Sequence, residues 1–196
     1  MTKVDVCNIA LGRIGRKAAI TSLTENSTEA RACNRIWDMV RQSLLREFTW
    51  SFSHRVELLA QSTDTVPGWQ YLYAYPSDCL QALRVFNEVT AELRGEQAKW
   101  DVLTVGNNTF IACNVELAYL EYTADRTDPD SWTTQFSDCL AWRLAFELAM
   151  PLTGDQNLRN SCWQLYMNIG SMARTTNAAE KNVEAFKERR YLDARK

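Results

Sequence analysis

One histidine, His54, and seven glycines in 196 residues are little to build an active site from, and each scarcity removes a class of chemistry. Nucleophilic catalysis sets Ser, Cys or Thr beside a base, most often His. His54 stands at an alternating position between Phe52 and Val56, where it reads as a strand residue rather than as that base. The glycines form neither GxxxxGK nor GxGxxG, so no phosphate-cradling loop is expected. Leu11-Gly12-Arg13-Ile14-Gly15-Arg16 has GxxG spacing with flanking arginines, but a helix end with a basic last turn accounts for it. Positive charge is not in excess either. The 22 basic and 24 acidic side chains leave a net charge of −2, whereas a protein that grips phosphates usually carries a clear surplus of Lys and Arg.

Long apolar runs are also missing. The longest, from Cys139 to Pro151, is interrupted by Arg143 and Glu147 and falls short of the roughly 20 residues that span a bilayer. Met1-Thr2-Lys3-Val4-Asp5 has no apolar signal core, so the chain is expected to stay in the cytoplasm where it is made, away from membranes. Six cysteines are present but scattered, with no CxxC pair. Cys7, Cys33, Cys139 and Cys162 fall on apolar helix stripes and read as small buried hydrophobes. Asp125, Asp128 and Asp130 lack the central glycine of a calcium loop and read as a turn with a helix cap. The expectation is a non-enzyme with no catalytic residues, no cofactor and no metal.

What is present is ordinary globular composition, 46% hydrophobic, with a change of period along the chain. Residues 3–14 read as a helix capped by Thr2 and stopped by Gly15, with Val4, Cys7, Leu11 and Ile14 on one stripe. Asn26-Ser27-Thr28-Glu29 reads as a capping box opening a second helix. Its core face is Ala30, Cys33, Trp37, Val40, Leu44 and Phe48, and Arg31, Arg35, Asp38, Arg41, Gln42 and Arg46 fill the other side. At Trp50 the period becomes two: Trp50, Phe52, His54, Val56 and Leu58 predict a half-buried strand. Further strands are expected at 71–75, 80–87, 98–105, 109–113 and 115–122, with a tight hairpin at Gly106-Asn107-Asn108.

Tyr71 and Tyr73 fit a sheet face or an interface anchor. Asp128-Pro129-Asp130-Ser131 predicts the start of a central helix over 132–150, broken by Pro151 and Gly154. Another helix is expected over 155–174, with Leu158, Cys162, Leu165, Ile169 and Met172 in three-four register. Asn177-Ala178-Ala179-Glu180 reads as a fresh cap opening a charged tail helix with a thin apolar stripe of Ala179, Val183 and Phe186. The tail, with Val183, Phe186, Arg189, Arg190, Tyr191 and Leu192, has too little apolar surface to hold itself to a core and reads as an arm that orders on a partner. The fold class expected is α+β, mainly α: a helical bundle core over 1–49 and 124–176, an inserted antiparallel β domain over 50–123, and a C-terminal arm over 177–196.

Several stretches, in order, resemble one family. Leu11-Gly12, Ile20-Thr21-Ser22-Leu23, Arg41-Gln42-Ser43-Leu44-Leu45 and Trp50-Ser51-Phe52 resemble the opening of tail tubular protein A and related head-to-tail adaptors of short-tailed bacteriophages. YLYAYPSDCLQALRVF resembles that family's Tyr-x-Tyr-Pro strand entry, and YTADRTDPDSWTTQFSDCLAWRLAFELAMPLTGD its return into the helical core. The resemblance covers residues of about 5 to 175 and lies in order and spacing rather than in any chemical motif. It implies a virion protein of the neck, made in the host cytoplasm. It implies a ring, commonly of about twelve copies, held between a portal protein and a tail nozzle resembling tail tubular protein B. DNA would pass through the lumen without specific binding. Residue by residue, the arm would supply the portal contact. The sequence leaves open another phage neck or head-completion protein and, from a different class, a small enzyme or nucleic-acid-binding protein.

Overall fold

The structure, a computed structural model, describes residues 1–17, 19–87 and 98–193, with side chains described as far as residue 176. Among them are four α-helices and two three-stranded antiparallel sheets, an α+β fold. The chain parts into two compact units: Met1–Phe52 with Arg126–Lys196, and Ser53–Asp125.

In the first unit, α1 (Lys3–Arg13) opens on a reciprocal capping box: Thr2 Oγ1 accepts from Asp5 N–H at 3.2 Å, and Asp5 Oδ2 accepts from Thr2 N–H at 2.7 Å. Such a cap contributes about 1 kcal/mol. Gly15, at φ +77°, ends α1, and the Arg16 N–H returns to Leu11 O at 3.0 Å. Helix α2 (Thr28–Glu47) is capped by Ser27, one residue later than the expected box, and Glu29 pairs with Arg16 at 2.8 Å instead. Its core face holds Ala30, Cys33, Trp37, Val40 and Leu44 as expected.

Arg41 departs from expectation. It lies four residues beyond Trp37 and three before Leu44, so helical geometry turns it inward despite its charge. It is 1% exposed, with Nη1 donating to Arg126 O and Nη2 to Asp38 Oδ1, both at 3.1 Å.

Helix α3 (Thr134–Thr153) touches α1, α2 and α4 and is the centre of the unit. Thr133 caps it; Asp128, expected to do so, caps a 3-10 turn over Pro129–Ser131. Pro151 does not break α3, because in a last turn it removes a single hydrogen bond; Gly154 at φ +70° ends it. Helix α4 (Gln156–Asp193) runs unbroken for 38 residues, about 57 Å at 1.5 Å per residue. The fresh start expected at Asn177 is absent from the backbone. The core face of α4 is Cys162, Tyr166, Gly170 and Ala173. Leu165 and Met172, expected on the core stripe, face solvent at 40% and 72% exposure.

The strand expected from Trp50 begins only at His54. Trp50 is buried, its indole N–H donating to Leu44 O at 3.0 Å, and Trp50, Phe52, Trp132 and Phe136 form an aromatic cluster. Burial among those rings prevails over the alternation, and Ser51–Ser53 is a 3-10 turn.

The second unit orders its strands β1-β6-β3 and β2-β5-β4, all antiparallel. These are β1 (His54–Leu58), β2 (Tyr71–Ala74), β3 (Cys79–Phe86), β4 (Trp100–Val105), β5 (Asn108–Cys113) and β6 (Tyr119–Ala124). Tyr73, Val85, Ile111, Cys113, Leu120 and Tyr122 from both sheets share one buried cluster, so the sheets pack face to face. Gly106 and Asn107 join β4 to β5, with φ +61° at Gly106, the first turn position, where a II′-type hairpin takes glycine. Strand β1 is not half-buried as expected: Val56 is 53% and Leu58 50% exposed.

Three tyrosines carry a pH signature. Burial pushes Tyr73, Tyr122 and Tyr166 above the ordinary 10.0; the carboxylates of Glu57 and Asp78 push Tyr122 further, and that of Glu47 Tyr166. Groups raised in the folded state contribute stability that is present below pH 10 and lost as pH rises through their folded values. In an alkaline titration followed by phenolate absorbance, at least three of the seven tyrosines should ionise above the ordinary 10.0. All seven ionising together at the ordinary value would contradict this.

Candidate partner interface

The places where chemistry was sought first are already engaged. His54 Nε2 lies 2.7 Å from Glu121 Oε1, held across β1 and β6. Arg13, on the GxxG turn, pairs with Asp138 and lays its guanidinium 4.1 Å over the Trp142 ring, while Arg16 is taken by Glu29. A turn whose arginines are satisfied within the fold offers little to a phosphate. Cys7, Cys33, Cys139 and Cys162 are buried; burial pushes the Cys139 thiol up to about 12, which keeps it an inert thiol at neutral pH. Among the described residues no three His, Cys, Asp or Glu side chains converge as a metal site requires. No helix of the described residues is long and apolar enough to cross a membrane.

The densest polar group in the second unit is Tyr122 with its neighbours. Its hydroxyl lies 2.9 Å from Glu57 Oε2 and 3.0 Å from Asp78 Oδ1, and Arg55 pairs with Asp78 at 2.9 Å. The phenol sits between two carboxylates while the arginine offsets their charge. The arrangement ties β1 to β6 and to the turn before β3, a structural role.

Of the two tyrosines expected at an interface, Tyr73 is corrected. It is 1% exposed and its hydroxyl donates to Val115 O at 2.8 Å, so it belongs to the core and has no surface to offer. Tyr71 is half-buried against it, ring centres 6.2 Å apart. Val183, Phe186, Arg189, Arg190, Tyr191 and Leu192 lie outside the residues whose side chains are described; their backbone is helical.

Sequence reasoning also missed the exposure of the methionines. All five are exposed: Met1 47%, Met39 60%, Met150 41%, Met167 45% and Met172 72%. Every one belongs to the helical unit. Methionine usually fills cores, and an exposed one offers a flexible thioether that adapts to varied partners. Periodicity gave no hint, since it assigned Met150 and Met172 to buried stripes.

A shallow cleft of about 330 Å³ lies between α1 and α3, with Met1, Ile9 and Ala141 on its apolar wall and the Arg13–Asp138 pair at its edge. Neither a nucleophile–base pair nor a metal-ligand set lines it, so it suits an inserted apolar side chain better than a reacting substrate. The chain matches no family model and no curated protein. A reading of function therefore rests on the motif order and on these surfaces.

Proposed function

We propose that the chain is a structural head-to-tail adaptor of a phage particle and not an enzyme, forming a ring of about twelve copies between portal and tail nozzle. In this reading the first unit is a helical bundle, with residues 1–49 and 124–176 as its core. Residues 50–123 are an inserted antiparallel β domain, and residues 177–196 are the arm that meets the portal protein. A nozzle protein resembling tail tubular protein B lies on the other side, and DNA passes through the lumen without specific contacts. The protein acts in the virion neck after being made in the host cytoplasm.

The observation that carries the reading is α4. A single helix of 38 residues, with Leu165 and Met172 one heptad apart on its solvent side, is a ready element for helix-in-groove docking. A near-neutral net charge of −2 agrees with a channel that does not retain DNA.

The purified chain is expected to be monomeric at ordinary ionic strength and micromolar concentration, and to form rings only with the portal protein. Size-exclusion chromatography with light scattering measures this, and a stable dodecamer from the chain alone would contradict it. Cryo-electron microscopy of the particle neck tests the function itself: density for this chain elsewhere on the particle would refute the adaptor reading.

A further inference from the structure

A sheet edge with unpaired backbone N–H and C=O groups is a template for another strand, and folds usually close theirs. Of the four edge strands in the β unit, three are closed, each in its own way. The outer side of β2 is taken by residues 60–62: Ala74 N–H donates to Ala60 O and Ser62 N–H to Leu72 O, both at 2.8 Å. In the β4–β5 hairpin, closed by Val105 and Asn108, alternation turns the Val102 N–H away from β5, and Asp101 Oδ1 accepts it at 2.8 Å. Strand β3 is broken by two register shifts against β6.

Strand β1 differs. Its five residues pair with β6 in unbroken register, and Leu59 N–H, donating to Ala118 O at 2.9 Å, continues it. Antiparallel alternation from that bond turns the N–H and C=O groups of Arg55 and Glu57 toward β6 and those of His54, Val56 and Leu58 outward. Among the described residues no backbone group meets these outward ones. The side chains beside them are uncovered as well, Val56 at 53% and Leu58 at 50% exposure.

We propose that β1 pairs antiparallel with β1 of a second copy, Val56 opposite the partner's Val56, joining two three-stranded sheets into one of six strands. The strand itself, His54-Arg55-Val56-Glu57-Leu58, selects this occupant and this register. With Val56 on the two-fold axis, the outward groups of residues 54, 56 and 58 meet those of 58, 56 and 54, about six backbone hydrogen bonds. Arg55 then stands opposite the partner's Glu57, and Glu57 opposite the partner's Arg55, cross-strand pairs of opposite charge. A slip of two residues one way would set Arg55 against the partner's Arg55, and the other way Glu57 against the partner's Glu57. A slip of one would set outward groups against those already bonded to β6. Both copies use the same surface, so the contact closes as a pair. It goes beyond the adaptor reading and does not rest on it. A contact of five residues a side belongs with small, transient interfaces, under about 1,200 Å². The chain therefore stays monomeric at micromolar concentration and pairs at concentrations on the order of hundreds of micromolar.

Sedimentation equilibrium of the full-length chain, over a series reaching the millimolar range, tests it with Val56→Lys and Val56→Glu. Position 56 meets its own copy on the axis, so each variant alone sets like charges face to face, and mixing the two sets lysine against glutamate. The natural chain should form a dimer and no larger species. Each variant alone, with an unchanged circular-dichroism spectrum, should associate more than about tenfold more weakly. An equimolar mixture should recover the dimer. Hydrogen exchange followed by nuclear magnetic resonance needs no variant: the amides of Val56 and Leu58 should slow as concentration rises, while that of Glu57, bonded to β6 in the single chain, should not. A natural chain monomeric throughout the series, a variant pairing as the natural chain does, a mixture no better than its components, or Val56 and Leu58 amides indifferent to concentration would each overturn the proposal. Slowing of those amides only on addition of another protein would assign the edge to that protein's strand and overturn the self-pairing.

Discussion

Phe136→Ala should lower the stability of the helical unit by about 4 kcal/mol. Phe136 is 0% exposed, and its ring centre lies 5.1 Å from Trp50, 5.0 Å from Phe52 and 5.1 Å from Trp132, each pair edge to face. Removing it forfeits the transfer free energy of a buried ring and leaves a void, together about 3–5 kcal/mol, with a fraction of a kcal/mol or more from each aromatic pair. The walls of that void resist collapse. Trp50 is tied by its indole N–H to Leu44 O, and Trp132 by its own to Arg126 O, both at 3.0 Å.

Phe136→Leu keeps most of the volume and should cost under about 2 kcal/mol. Urea unfolding followed by tryptophan fluorescence and circular dichroism reads both. A loss below about 2 kcal/mol for the alanine variant would mean that the cluster relaxes around the gap.

On the adaptor reading proposed above, truncation after Thr176 should abolish docking to a portal protein while leaving the melting of the remaining chain nearly unchanged. Ala173 is the last described residue of α4 that is buried, and Gly170 and Arg174 close the contact with Phe48, Arg174 lying 3.8 Å over its ring. All of these are retained. From Arg174 to Asp193 the helix continues for about 30 Å at 1.5 Å per residue. Helices owe most of their stability to packing rather than to propensity. Co-sedimentation with portal measures docking, and a thermal melt of the shortened chain measures its fold. A melt lowered by more than a few degrees would show that the segment belongs to the core; retained docking would refute the arm as the portal contact.

Local signals were the ones legible in the sequence. The Thr2–Asp5 box, the stop at Gly15 and the Cys33–Trp37–Val40 stripe depend on neighbours within one or two turns, and the structure has them. The misreadings share a cause: tertiary burial prevailed over period or over charge. Trp50 and Phe52 alternate like a strand but are drawn into the cluster around Phe136. Arg41 was sorted by its charge, although its position faces the core.

Leu165 and Met172 repeat in register, yet α4 presents Tyr166 and Ala173 to the core, a shift of one residue that periodicity alone cannot fix where apolar side chains surround a helix. On α2 the exposed arginines Arg31, Arg35 and Arg46 were legible as the polar side, but not Met39 among them. The acidic character of the β unit was within reach, since the expected range 50–123 already encloses four basic and nine acidic side chains. Tyr73 shows the limit of composition, since an aromatic in alternation fits a core and an interface equally well.

The order of elements also has a consequence for synthesis. Helices α1 and α2 end at Glu47, but α3, against which both pack, begins at Thr134. At about 5–20 residues per second the ribosome needs roughly 4–17 s to deliver it. Through that interval the nascent chain carries Val6, Leu11, Trp37 and Leu44 without their principal packing partner, while the whole β unit, contiguous in sequence, emerges and can close on itself. The unit begun first is thus the one completed last, and its first two helices wait for the third with their apolar faces uncovered.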